Sequence, residues 1–235
     1  MNKFYKILDW DSNFFGFNVC KININDIANL NNVLADLEIK NFKLAYLNLD
    51  KALHQTELDQ IKNSIVLVDR KTTFVKKVEQ RPNINENIET YKEHSPEKKL
   101  FELAAQSGIY SRFNRDKCIE ENKFKDLYKQ WIINSVNKEI AEEVLVYKSN
   151  QQILGLVTLG KKDDRADIGI ISVDNQSRGK GIGKSLMHSA ENWFAQNNYQ
   201  TIQVITQEDN VAACNLYKRC GFEIESVKYF YHIWF

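Results

Sequence analysis

The sequence predicts a mixed α/β (α+β) fold, a mostly antiparallel mixed sheet flanked by helices, with a smaller mixed α/β domain at the N-terminus. Three observations carry that prediction. Strand-like segments follow one another at Val144–Lys148, Ile153–Gly160 and Ala166–Val173, with turn residues between them. Stretches with apolar residues at spacings of three and four read as helices on either side of that run. The composition shifts once, at Gln80–Glu97, which is polar, holds both prolines and lacks a sustained apolar period. That stretch divides the chain into an expected N-terminal domain, residues 1–83, and a second domain, residues 84–235.

Taken in order, Asp26 is placed to cap a helix whose Ile27, Leu30, Leu34 and Leu37 share a face. Leu44–Leu49 suits a strand. Ile65–Val68 is a short apolar run and Thr72–Val78 a β-branched one, with Asp69–Lys71 expected to turn the chain between them. After the polar stretch, Pro96 opens a helix carrying Leu100, Phe101 and Leu103–Ala105, and Gly108 ends it. Ile109–Glu121 reads as irregular. The next helix gathers Phe124, Leu127, Tyr128, Trp131, Ile132 and Val136 on one face. The three strands then form a meander of hairpins, turned at Asn150 and Asp163–Asp164. A glycine-rich turn leads into a helix over 182–197, where Ile182, Leu186, Ala190, Trp193 and Phe194 make an apolar stripe. Thr201–Thr206 alternates as a strand, a short helix covers 210–219, and a strand pair over 222–226 and 228–235 closes the chain.

Composition excludes several classes of function. The 235 residues carry 32 Lys+Arg against 31 Asp+Glu, so a nucleic-acid binder working through a broad basic surface is not expected. No apolar run approaches the roughly 18 residues that cross a bilayer, so no membrane insertion is expected. The opening MNKFYKILDWDS has no long apolar segment of the secretory kind, which implies a cytoplasmic protein. Cys20, Cys118, Cys214 and Cys220 form no C-x-x-C pair and read as free buried thiols. His54, His94, His188 and His232 are scattered, without zinc spacing, and no metal is expected. There is no G-x-S-x-G nucleophile elbow.

The chemical centre is Val173–Lys184, VDNQSRGKGIGK. A strand ends at Val173 and a helix begins near Ile182. Glycines between them permit a tight turn that leaves the backbone open to approach. Successive N–H groups can line one concavity that accepts phosphate oxygens, and the helix N-terminus adds partial positive charge. Arg178, Lys180 and Lys184 add full charges. The turn reads as a diphosphate-binding loop or, more plainly, as a strand–helix turn with solvated basic residues. A P-loop is excluded, because Gly179 and Gly183-Lys184-Ser185 stand one residue too close. A Rossmann fingerprint does not suit the antiparallel hairpins upstream.

Gln176-x-x-Gly179-x-Gly181, extended as Arg178-Gly-Lys-Gly-Ile-Gly, resembles the acetyl-CoA signature of the GCN5-related N-acetyltransferase (GNAT) superfamily. Asn210-Val-Ala-Ala213-Cys-Asn215-Leu-Tyr217-Lys-Arg-Cys-Gly221-Phe222 resembles the superfamily's N-x-x-A-x-x-L-Y-x-x-x-G-F block, in the right order and separated by a helix and a strand. A narrower resemblance covers most of the chain. Leu8-Asp9-Trp10-Asp11-Ser12-x-Phe14-Phe15-Gly16 is similar to the opening of the bacterial TDP-fucosamine acetyltransferase family, the WecD type. So are Ser111-Arg112-Phe113-x-x-Asp116 and Phe124-x-x-Leu127-Tyr128-x-x-Trp131-Ile132 with Ser135-Val136.

The resemblance implies a GNAT fold and transfer of acetyl from acetyl-CoA to the 4-amine of a TDP-linked 4-amino-4,6-dideoxy sugar, for a surface polysaccharide. The N-terminal domain would contribute to the substrate pocket. Backbone amides around Ile171 and Val173 would hold the pantetheine and acetyl carbonyl. Gln176, Arg178, Gly179, Lys180, Gly181, Ile182, Gly183 and Lys184 would hold the pyrophosphate, and Asn210 would meet the cofactor near its thioester. Tyr217 is the implied general acid, since a phenol is protonated at neutral pH and can reprotonate a leaving thiolate. Asp167, at the start of the strand entering the loop, is the candidate base through a water, against its plain reading as a solvated hairpin charge. Ser111, Arg112, Phe113 and Asp116 form the expected substrate loop: Arg for phosphate, Phe for stacking, Asp for sugar hydroxyls. Asp9, Trp10 and Asp11 are expected to tie the two domains together. The alternatives are a protein, peptide or small-amine N-acetyltransferase of the same fold and a CoA-binding module without catalysis. A homodimer through the apolar Val227–Phe235 is a further expectation beside a buried strand.

Overall fold

In the computed structural model, which describes residues 3–24, 29–80 and 85–235, the chain begins with β1 (Tyr5–Ile7), α1 (Asp9–Phe15), β2 (Asn18–Ile22), α2 (Leu30–Ile39), β3 (Phe42–Leu49), α3 (Gln55–Leu58) and β4 (Ser64–Lys77). It continues with β5 (Ile88–Thr90), α4 (Lys98–Ser107), α5 (Arg112–Arg115), α6 (Glu121–Val136), β6 (Glu143–Ser149), β7 (Gln152–Lys162) and β8 (Arg165–Val173). It ends with α7 (Ile182–Gln196), β9 (Thr201–Gln207), α8 (Val211–Arg219) and β10 (Glu223–Trp234). These elements form two units. One is Met1–Lys71, Arg115–Cys118 and Val227–Phe235; the other is Thr72–Asn114 and Ile119–Ser226. The expected boundary at 83/84 lies outside the described residues, as do Asp26 and Ile27.

In the first unit the strand order is β1-β2-β3-β10. β2 runs parallel to β3, and β10 antiparallel to it from Tyr229↔Leu49 to Trp234↔Leu44. The predicted face of α2, Leu30, Leu34 and Leu37 with Val33, is buried against Cys20, Ile22, Ala45, Leu47, Tyr231 and Ile233. α1 ends at Gly16, whose φ of 79° is the left-handed conformation that favours glycine at a helix C-terminus. Asp11 accepts a hydrogen bond from the Tyr46 hydroxyl at 3.1 Å, so this carboxylate is engaged within its own unit.

A polar group is buried in the same unit. Asp116 is 3% exposed and bonds His232 Nδ1, the Trp234 indole N–H (2.9 Å) and the Cys118 amide (2.9 Å). His232, fully buried, stacks on Tyr46 at 4.9 Å between ring centroids. Burial raises the Asp116 carboxyl pKa, but the bonds from His232, the Cys118 amide and Trp234 outweigh it and hold it below the usual carboxylate value.

In the second unit the strand order is β4-β9-β8-β7-β6-β5. β6, β7 and β8 form the expected meander. Asn150, Gln151 and Asp163 take φ of 49°, 63° and 55° in its turns, which suits Asn and Asp. A parallel β8–β9 pair needs a crossover, and α7 supplies it. The predicted stripe of α7 is buried at Ile182, Leu186, Ala190 and Phe194, packed with Val157, Leu159, Ile168, Ile202 and Val204; Trp193 is only partly buried. Lys76 of β4 meets Glu191 of α7 at 2.6 Å, both nearly buried.

Several sequence expectations are corrected. Asp69–Lys71 makes no turn: β4 runs unbroken through it, because no Gly, Asn or Pro breaks the ladder and β-branched residues flank it on both sides. The final strand pair is the single strand β10, since Val227-Lys228 offers no turn chemistry. Gln80–Glu97 is not wholly irregular, for β5 within it pairs with β6, and the Tyr91 hydroxyl ties Ser95 to Glu97. Ile109–Glu121 contains the helical turn α5. Cys20 and Cys220 are buried, but Cys118 is exposed.

Asp116→Ala should lower the unfolding free energy by about 3–5 kcal/mol at neutral pH, because it leaves His232 buried without its carboxylate. Urea unfolding measures it. The native pKa is depressed, so the contribution is present above the unfolded value of about 3.9 and lost as pH falls through the native one. The gap between wild type and variant should therefore close in acid.

Candidate active site

The site begins where two parallel strands part. β8 and β9 pair at Ala166↔Ile202, Asp167↔Gln203 and Ile168↔Val204, and the pairing ends there. Beyond it, the β9-facing edge of Gly169–Val173 is left open. The cause lies on the other side of β8. Leu159 of β7 faces Ile168 and Val157 faces Ile171, so two steps on β7 correspond to three on β8: a β-bulge. Thr158 fills the irregularity, its hydroxyl accepting from the Ile170 amide at 2.8 Å. A Cβ on Gly169 would lie 2.8 Å from that same oxygen, so glycine is required.

β8 ends in the glycine turn. Gly179 and Gly181 have φ of 79° and 82°, and a Cβ at either would meet nothing within 4 Å, so their requirement is conformational and their surroundings are open. Gly183 is different: a Cβ there would lie 3.3 Å from Leu216, so glycine lets α7 approach α8 closely. Gly181 is the N-cap of α7 and offers no side-chain cap, which leaves first-turn N–H groups available to an anion. Asp174 braces the turn, accepting from the Gln176 amide at 2.9 Å and pairing with Lys99 of α4. Lys99, with the Gln176 amide, holds the Asp174 carboxyl below its ordinary pKa. Gln106 of α4 donates to the Val173 carbonyl at 2.6 Å.

The parting strands and the turn enclose a cavity of 880 Å³. Of the residues expected to hold cofactor, Ile171, Val173, Arg178, Gly179, Gly181, Ile182, Gly183, Lys184 and Asn210 line it; Gln176 and Lys180 do not. Asp167 and Tyr217 line it as well. Asn210 also caps α8, accepting from the Ala213 amide at 3.2 Å. Tyr217 is 3% exposed and packs edge-on against Phe74 at 5.5 Å. Burial, with smaller contributions from Cys214 and Cys220, pushes its phenol well above the ordinary value, so it is protonated throughout the neutral range.

The expected substrate loop is elsewhere. Ser111, Arg112, Phe113 and Asp116 do not line the cavity. Ser111 and Phe113 are buried, Arg112 sits 4.5 Å over the Phe113 ring, and the Asp116 carboxylate is taken up by His232, Trp234 and Cys118. In their place Gln106, Ile109, Tyr110, Tyr128, Trp131 and Ile140 line the cavity. The exposure of Ile109 and Tyr110, directly before Ser111, is the feature that periodicity did not reveal. Among the described residues no group of three or more His, Cys, Asp or Glu side chains is placed to hold a metal ion, and no helix is long and apolar enough to cross a membrane.

A thioester carrying a diphosphate fits such a trough, with anion-binding amides and Arg178 and Lys184 at one end and a buried protonated phenol along its wall. Comparison with known proteins agrees. The model described as the acetyltransferase (GNAT) family matches residues 103–222, half of the chain, which takes in the strand fork, the glycine turn and α8. The protein belongs to the acetyltransferase (GNAT) family, whose members are acetyl-CoA-dependent N-acetyltransferases. It is 27% identical over 227 residues to the dTDP-fucosamine acetyltransferase of Escherichia coli O6:H1, covering 94% of each chain. It is 29% identical over 135 residues to the spore coat polysaccharide biosynthesis protein SpsD of Bacillus subtilis (strain 168); the match covers 57% of this chain and only 46% of SpsD. The fold matches that of a GCN5-related N-acetyltransferase from Sphaerobacter thermophilus with a TM-score of 0.59 at 11% identity, covering 97% of this chain and 75% of that one.

Gly181→Ala should cost about 1–2 kcal/mol of stability through its left-handed backbone alone. Gly183→Ala has no such backbone penalty and should act through the α7–α8 spacing, so compensation by Leu216→Ala should restore it and leave Gly181→Ala unchanged. Thermal unfolding of the two single and two double variants checks this.

Proposed function

We propose that the protein transfers acetyl from acetyl-CoA to the 4-amino group of a TDP-linked 4-amino-4,6-dideoxy sugar destined for a surface polysaccharide. The observation that carries this reading is the likeness to dTDP-fucosamine acetyltransferase over 94% of both chains, which includes both units and not the acetyltransferase domain alone. The likeness to a spore coat polysaccharide protein supports the same substrate class.

In this reading the glycine turn and the first turn of α7 bind the diphosphate, with Arg178 and Lys184 as counter-charges. The open edge of β8 at Ile171 and Val173 receives the pantetheine amides and the acetyl carbonyl, and Asn210 orients the chain beside them. Acetyl-CoA supplies an activated thioester. The protein aligns the neutral amine with its carbonyl carbon, excludes water and manages two protons. The ammonium loses its first proton to Asp167 through a water. The C–N bond then forms as the C–S bond breaks, and Tyr217 gives its proton to the departing thiolate. The second nitrogen proton returns through water to the phenolate, while Asp167 releases its proton to solvent. The aromatic wall of Tyr110, Tyr128 and Trp131 offers ring faces to the sugar nucleotide.

Incubation with acetyl-CoA and TDP-4-amino-4,6-dideoxygalactose should release free CoA in step with the sugar amide. Failure to turn over any amino-dideoxy nucleotide sugar, with turnover of peptide amines instead, would overturn the substrate class. Tyr217→Phe should reduce kcat by about 10²–10⁴-fold with little change in acetyl-CoA affinity, the signature of a lost proton donor. Stopped-flow turnover with calorimetric binding separates the two effects.

A further inference from the structure

We infer that Gln203 is a positioning residue, which fixes the Asp167 carboxylate at the strand fork so that one of its oxygens faces the acceptor amine. The inference rests on the reading above, in which Asp167 meets the acceptor.

Four observations lead to it. Gln203 is 7% exposed, a buried carboxamide on a strand whose neighbours Ile202 and Val204 belong to the apolar core. Burying an amide is unfavourable unless it is hydrogen-bonded, and an apolar residue would fill the place without that demand. Its Nε2 donates to Asp167 Oδ1 at 2.8 Å. The two residues are also register partners, one step before the pairing of β8 and β9 ends at Ile168↔Val204. The side-chain bond therefore sits at the root of the fork. Asp167 lines the cavity, and no second hydrogen bond to its carboxylate is found among the described residues, so Oδ2 remains for a ligand.

The chemistry of the pair is asymmetric. The carboxamide N–H can donate and cannot take up a proton at neutral pH. Gln203 thus orients the carboxylate without competing for the acceptor's proton. A carboxylate held by one oxygen loses most of its side-chain freedom before the acceptor arrives, which is the effect that makes positioned groups efficient. Thr158, Trp131 and Ser135 line the same cavity and carry no charge. An acceptor ammonium is the cation that completes the site.

The test uses the full chain with acetyl-CoA and the TDP-amino sugar. Gln203→Met, which keeps the volume and removes the donor, should lower kcat/KM for the acceptor about tenfold while leaving the KM for acetyl-CoA unchanged. Gln203→Glu should do at least as much, because it sets a second carboxylate against Asp167, and it provides the measurement if the methionine variant folds poorly. In an Asp167→Ala background neither change should lower activity further. Wild-type kinetics for both Gln203 variants, or an undiminished additional loss in the Asp167→Ala background, overturns the inference. Wild-type acceptor kinetics for Asp167→Ala overturns the reading of Asp167 itself and is distinguishable from both. One readout needs no acceptor. The Gln203 side-chain amide proton signals in an NMR spectrum should shift on Asp167→Ala, and unchanged signals would dissolve the pair.

Discussion

The separation of β8 from β9 after Ile168↔Val204 is the constraint on which the candidate site depends. A parallel ladder that continued would satisfy the backbone of Gly169–Val173 internally and leave no edge for a ligand. The bulge on β8 prevents this by adding a residue on the β7 side. Everything downstream follows from where β8 then points: the Val173 carbonyl reaches Gln106 of α4, Asp174 reaches Lys99, and the turn delivers the first residues of α7 to the cavity. The hydrophobic stripe of α7 secures its helix beneath, so the open amides rest on a rigid base.

The cavity is electrically polarised along that strand. Arg178, Lys184 and the N-terminus of α7 follow the end of β8, while Asp167 lies near its start, six residues before Val173 and hence roughly 20 Å from it along an extended backbone. In the proposed function a long cosubstrate with an anionic head and a reactive tail would lie along this strand, and a cationic acceptor would meet Asp167 at its start. Tyr217 stands on α8 and lines the same cavity, and its burial keeps the phenol protonated.

Much of this was legible in the sequence, for identifiable reasons. The stripe of α7 is a clean 3.6-residue pattern, and Asn150 and Asp163 carry turn chemistry that their positive φ confirms. The glycine turn was recognisable because Gly179 and Gly181 need a left-handed backbone and Gly183 needs space. The reading failed where tertiary context overrides local chemistry. Asp69–Lys71 is charged enough to resemble a turn, yet the ladder carries it through. Asp116 resembled a ligand because an Asp in a polar segment has no visible partner. Its partners, His232 and Trp234, lie more than 110 residues away in sequence. The bulge does leave a trace in the sequence: Ile168-Gly169-Ile170-Ile171 breaks strict alternation with a glycine inside a strand.

That bulge also governs what this strand can tolerate in length. Side chains of a regular strand change face at every step, yet Ile168 and Ile171 lie opposite Leu159 and Val157, which share one face of β7. The parity of β8 is therefore odd across Gly169-Ile170. Removing one residue there would keep Ile171 and Val173 on their present face by plain alternation, but would take away the bulge and the irregularity that Thr158 fills. Surface loops such as the Asp163–Asp164 turn can absorb insertions and deletions, but the three-residue stretch between Ile168 and Ser172 acts as a spacer: a single-residue gap there straightens β8 and removes the irregularity just beyond its last pair with β9.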